Sequence, residues 1–68
     1  MKLTDEERHA RATAALNAVA AHTGQPPERF HVTGSNAFYN MLHVENMART
    51  ALYIYGTDSG TVYPGRGA

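Results

Sequence analysis

Residues 50–63 place the tightest constraint on what this chain can fold into. Thr50-Ala-Leu-Tyr-Ile-Tyr55 and Thr61-Val-Tyr63 are β-prone runs, and Gly56-Thr-Asp-Ser-Gly60 lies between them. Aromatic and β-branched residues on either side of a Gly, Asp and Ser loop are the signature of a β-hairpin. A loop at Thr57–Gly60 sets Tyr55 opposite Val62 and Ile54 opposite Tyr63. Because side chains alternate along a strand, Leu52, Ile54 and Tyr63 share one face and Tyr53, Tyr55 and Val62 the other. Both faces are apolar, so each of them needs cover.

The means of covering them are limited. The chain has 68 residues, read as a single small domain (1–68), and no cysteine. A domain of this size buries only about 60% of the surface that its unfolded chain exposes. Disulfides, thiolate zinc sites and cysteine nucleophiles are closed to it. No apolar stretch follows Met1-Lys-Leu-Thr-Asp-Glu-Glu7, so export by a standard signal is not expected, and no run is long enough to span a membrane. The expected setting is cytoplasmic.

Charge points away from nucleic acid. Lys2, Arg8, Arg11, Arg29, Arg49 and Arg66 balance Asp5, Glu6, Glu7, Glu28, Glu45 and Asp58, for a formal net charge of zero. The cations are scattered singly, whereas a phosphate-backbone binder gathers them on one face to release condensed counterions.

Large apolar residues are unevenly spread. Residues 4–29 hold only Leu16 and Val19 among seven alanines. Phe30, Val32, Phe38, Tyr39, Met41, Leu42, Val44, Met47, Leu52, Tyr53, Ile54, Tyr55, Val62 and Tyr63 follow. The core therefore belongs to the later part of the chain, and the first segment lies against it.

That first segment reads as a helix over 5–23. Thr4-Asp-Glu-Glu7 fits a capping box, and the three acids sit at the positive end of the helix dipole. Glu7 and Arg11 have ion-pair spacing. Gly24 suits a left-handed cap, and Pro26-Pro27 forbids continuation. Ala12, Leu16, Val19 and Ala20 form a shallow apolar stripe. Ala10, Ala14, Ala18 and Ala21 run beside it, either as good helix formers or as a close helix–helix seam. Phe30-His-Val-Thr33 alternates like a short strand (30–33) after a connection with room for one helical turn at 27–30. Over 36–49, Phe38, Met41, Leu42, Glu45 and Ala48 recur at helical spacing, and a second helix is expected, with alternation from Phe38 to Val44 offering a competing strand. The hairpin then takes 50–55 and 61–63, and 64–68 is a flexible tail. The expected fold is α+β. The alternative is an all-α two-helix hairpin, dimerising into a bundle, in which the second helix runs on through Tyr55.

Catalytic chemistry finds little support. His9, His22, His31 and His43 contain no i,i+4 pair for a helical zinc site, and His43 lies beside the expected core stripe. Asp58-Ser59-Gly60 is ordinary turn chemistry rather than a held nucleophile. Gly34 stands alone, without the Gly-Lys-Ser/Thr of a phosphate loop. No catalytic, cofactor or metal site is assigned. The tyrosines carry the functional expectation, since tyrosine, methionine and arginine are enriched at the buried centres of interfaces. The chain reads as a small non-enzymatic protein-binding module, an inhibitor or accessory factor of phage type, that also associates as a homodimer. Its expected surface is Tyr53, Tyr55 and Val62, with Tyr39 and Arg49. The alternatives are a small DNA-binding regulator that reads with the second helix and holds phosphates with Arg29, Arg49 and Arg66, and a structural or assembly subunit.

Overall fold

Thr4 opens the first helix in the computed structural model of the chain, which describes residues 3–68. Lys2, one of the scattered cations, lies outside the described residues. The Thr4 hydroxyl accepts from the Glu7 amide (3.1 Å), and the Thr4 amide donates to Glu7 Oε1 (3.0 Å). Two of the free amides of a helix start are thereby satisfied. Helix α1 spans Asp5–Thr23 and ends at Gly24, whose φ of 74° is the left-handed conformation that glycine adopts without penalty. Val19 and Ala20 are buried as expected, joined by Ala15, while Ala12 and Leu16 are half-buried. Ala10, Ala14 and Ala21 are exposed, and only Ala18 of that second line packs toward the core. Arg11 makes no ion pair with Glu7 within 4 Å; its Nη1 donates to the carbonyls of Phe38 (3.3 Å) and Tyr39 (3.1 Å).

A 3₁₀ turn at Pro27–Arg29 leads into four strands: β1 (Phe30–Ser35), β2 (Met41–Asn46), β3 (Leu52–Gly56) and β4 (Thr61–Pro64). They form one antiparallel meander in the order β1-β2-β3-β4. The last hairpin has the register anticipated from its loop, with Ile54 opposite Tyr63 and Tyr55 opposite Val62. α1 lies across one face. Ala15, Val19 and Ala20 meet Phe30, Leu42, Val44 and Tyr55, and these seven make the buried core.

The α+β reading therefore stands, but the second helix does not. Residues 36–49 hold a loop, strand β2 and the start of a second loop. The all-α alternative is lost with it. Two asparagines decide the matter locally. Asn36 Oδ1 accepts from the amides of Asn40 (3.1 Å) and Met41 (3.3 Å); Asn46 Oδ1 accepts from those of Thr50 (2.8 Å) and Ala51 (3.2 Å). Asparagine side chains that bond nearby backbone stabilise turns at the expense of helix. Between the two loops, alternation then buries Leu42 and Val44 and turns Met41 and His43 outward. Met, Leu, Glu and Ala favour helix by only tenths of a kcal/mol each, about the scale at which tertiary packing overrides them.

The segment expected as a tail carries hydrogen bonds to β3. The Leu52 amide donates to the Arg66 carbonyl (2.7 Å), and the Gly65 amide to the Leu52 carbonyl (2.9 Å).

Candidate interaction surface

Opposed residues of neighbouring strands share a face, so the pairing fixes both sides of the sheet. Val32, Val44 and Tyr53 form one row beneath α1, and Ser35, Leu42, Tyr55 and Val62 another. The opposite side carries His31, Glu45 and Leu52 in one row, Gly34, His43, Ile54 and Tyr63 in the next, then Met41, Gly56 and Thr61. Among the described residues no helix or further strand packs on this second side, which makes it the candidate surface.

Its apolar part is Met41, Leu52, Ile54 and Tyr63, with the exposed His43 beside Ile54 on β2. Met41 is 36% and Tyr63 44% exposed, with Leu52 and Ile54 half-buried between the strands. A Cβ built on Gly56 would stand 3.2 Å from Ser59 Oγ, 3.5 Å from the Tyr63 ring and 3.8 Å from Met41 Sδ, so these three side chains lean over the glycine. One end is charged. Glu45, only 14% exposed, lies 3.8 Å from His31 Nε2 and 3.4 Å from Arg66 Nη2. His31 Nδ1 is enclosed and has no hydrogen-bond partner. Phe38, 75% exposed, and Met47, 59% exposed, project from the loops at opposite ends of β2.

The residues singled out from the sequence do not assemble here. Tyr55 is buried under α1, and Val62 packs against the same core. Tyr53 sets its ring edge-on to Phe30 (6.3 Å) and to His22 (6.0 Å). The face expected to need outside cover is thus covered by the chain's own helix. Tyr39 and Arg49 sit in different loops, both with positive φ (56° and 59°). Tyr39 packs against the core, and Arg49 is exposed. The face missed as a surface was Leu52, Ile54 and Tyr63. Met41, His43 and Glu45 were missed because a helix over 36–49 sets Met41 and Glu45 on its core-facing stripe and parts them from His43, although the Phe38–Val44 alternation carried the signal.

Other features offer less. Ala10, Arg11, Ala14, Tyr55, Thr57 and Asp58 line an open cleft of about 260 Å³. That lies below the roughly 300–1,000 Å³ of ordinary ligand pockets. Among the described residues no three His, Asp or Glu side chains come together as a metal site. No helix there is long and apolar enough to cross a membrane. Protein-family models, curated proteins and solved structures were all compared with the chain, and none matches it.

Proposed function

We propose that this chain is a small non-enzymatic protein-binding module whose contact surface is the open face of its sheet, centred on Met41, Leu52, Ile54 and Tyr63. A role as an inhibitor or accessory factor in a cytoplasmic setting belongs to the same proposal. The observation that carries it is the asymmetry of cover: α1 buries Tyr55 and packs against Tyr53 and Val62, whereas among the described residues no helix or strand lies on the other side, which only the segment after Pro64 borders, at Leu52. A contiguous apolar patch with a polar rim is the usual mark of an interaction site.

A second copy is the occupant this reading names first. Two such sheets can pack face to face at about 10 Å, as sandwich sheets do. With no net charge, two copies do not repel one another at long range. The DNA-binding alternative needed a reading helix over 36–49, where β2 now lies.

Light scattering on the wild type and on Ile54→Lys tests the proposal. A dimer that the substitution converts to a folded monomer is the expected result. A wild-type monomer would remove self-association, and higher oligomers would favour the assembly-subunit alternative. Association unchanged in Ile54→Lys would overturn the open face as the surface.

A further inference from the structure

We infer that residues 65–68 form a closed strap over the Leu52 corner of the open face, able to open without unfolding the sheet beneath it. Its regulatory meaning rests on the reading of that face as a contact surface, but the strap itself does not.

The strap is built from close approaches that only glycine permits. Past Pro64 the chain makes two backbone bonds to the sheet, both with Leu52, through the Gly65 amide (2.9 Å) and the Arg66 carbonyl (2.7 Å), and the Ala68 amide donates back to the Gly65 carbonyl (3.4 Å). A Cβ on Gly65 would lie 2.7 Å from the Leu52 carbonyl oxygen. On Gly67, which has a φ of 72°, it would lie 2.0 Å from that of Thr50. The Leu52 oxygen cannot withdraw without disturbing β3, and Thr50 lies in the loop that leads into it. The glycines thus hold Arg66 over the corner, where its Nη2 reaches Glu45 Oε2 at 3.4 Å.

What holds the strap is local and exposed. Arg66, Gly67 and Ala68 are exposed and Gly65 half-buried, so no strap side chain enters the core. Segments with few apolar contacts and solvent-accessible backbone bonds open at free energies well below that of global unfolding. Opening would bare the Leu52 amide, carbonyl and side chain, and leave Glu45 with His31 alone. The patch would grow at the end where it is now charged. An order–disorder change of this kind in a short segment is a recognised way to gate a surface.

Amide hydrogen exchange on the whole chain tests this. Leu52 and Gly65 amides should exchange about tenfold or more slower than random coil in the wild type, yet faster than those of the central strand β2. In Gly67→Val both should approach random-coil rates while β2 stays protected. Arg66→Ala should lose about two- to fivefold of the Leu52 protection, the range for an exposed ion pair. Free exchange at Leu52 in the wild type, unchanged protection in Gly67→Val, or loss of β2 protection in that variant would each overturn the strap. Light scattering of Gly67→Val adds the regulatory arm. Tighter association than wild type is expected, and weaker or equal association would sink the gating role while leaving the strap in place.

Discussion

Among the described residues, Tyr39 and Arg49 are the two whose backbone conformation and side-chain type disagree. Both occupy the left-handed region, where a side chain bearing Cβ costs roughly 1–2 kcal/mol relative to the right-handed form. They occupy the same place in twin loops ten residues apart. In each, an asparagine amide donates across the loop (Asn36 to Met41, Asn46 to Ala51, both 3.1 Å), and the fourth residue's amide returns to the asparagine carbonyl. The Asn36 side-chain amide also bonds Asn40, and that of Asn46 bonds Thr50 (2.8 Å). Arg49 is exposed and its guanidinium makes no hydrogen bond among the described residues, so Arg49→Gly isolates the backbone term. Relief of the left-handed cost, less the added freedom of glycine in the unfolded chain, should stabilise the fold by about 0.5–1 kcal/mol. A rise of a few degrees in Tm with an unchanged urea m-value is the expected measurement; a lower Tm would show that Arg49 contributes something its contacts do not reveal. Neither position was legible in the sequence, because tyrosine and arginine carry no signal for positive φ. The asparagines three residues before each did carry one.

At the scale of elements, legibility followed how local each determinant is. α1 was readable to its ends because Thr4, Glu7 and Gly24 act within one turn of themselves. The last hairpin was readable because its turn residues set its register. β2 was not, since its inward face becomes apolar cover only once β1, β3 and α1 lie around it. The helical stripe of Phe38, Met41, Leu42, Glu45 and Ala48 is a coincidence of spacing that puts two loop residues, two outward residues and the buried Leu42 on one line. The helix cap also makes a pH-dependent element. Glu7 titrates below its ordinary value of 4.5 because the Thr4 backbone amide and then the Thr4 hydroxyl favour its charged form, with Arg11 a lesser cause. A carboxylate depressed in the folded state stabilises at pH above its unfolded value, and that contribution fades as pH falls through the folded one. Glu7→Gln can keep the hydrogen bonds of the box but not the charge. It should therefore be less stable than wild type at pH 7, with the difference vanishing as both are titrated below pH 4.5. A gap that persists in acid would mean that geometry, not charge, does the capping. Urea midpoints across that range measure it.

For the whole molecule, the decisive property is that one sheet serves two environments through alternation, interrupted at a register shift between Val32 and Gly34 of β1. A 68-residue chain has of order 3–10 kcal/mol of stability to lose. Adjacent residues of β2 should therefore respond to substitution in opposite ways. Leu42 is fully buried among Tyr55, Val44 and α1, and Leu42→Ala should cost about 2–5 kcal/mol, enough to leave much of the chain unfolded at room temperature. Met41, one residue earlier, points to the open side, and Met41→Ser should change stability by less than about 1 kcal/mol. Its effect should fall on association, because it removes apolar surface from the centre of the patch. Paired urea unfolding and light scattering on the two variants separate stability from binding. If Met41→Ser unfolded the chain while Leu42→Ala did not, β2 would be slipped by one residue, since a one-residue shift exchanges the faces. If both were costly, the open side would already be covered within the folded monomer, and the contact surface would have to be sought among the loops that carry Phe38 and Met47. The pattern expected, a costly Leu42→Ala beside a stable but dissociated Met41→Ser, requires that α1 cover one side alone and leave the other for a partner.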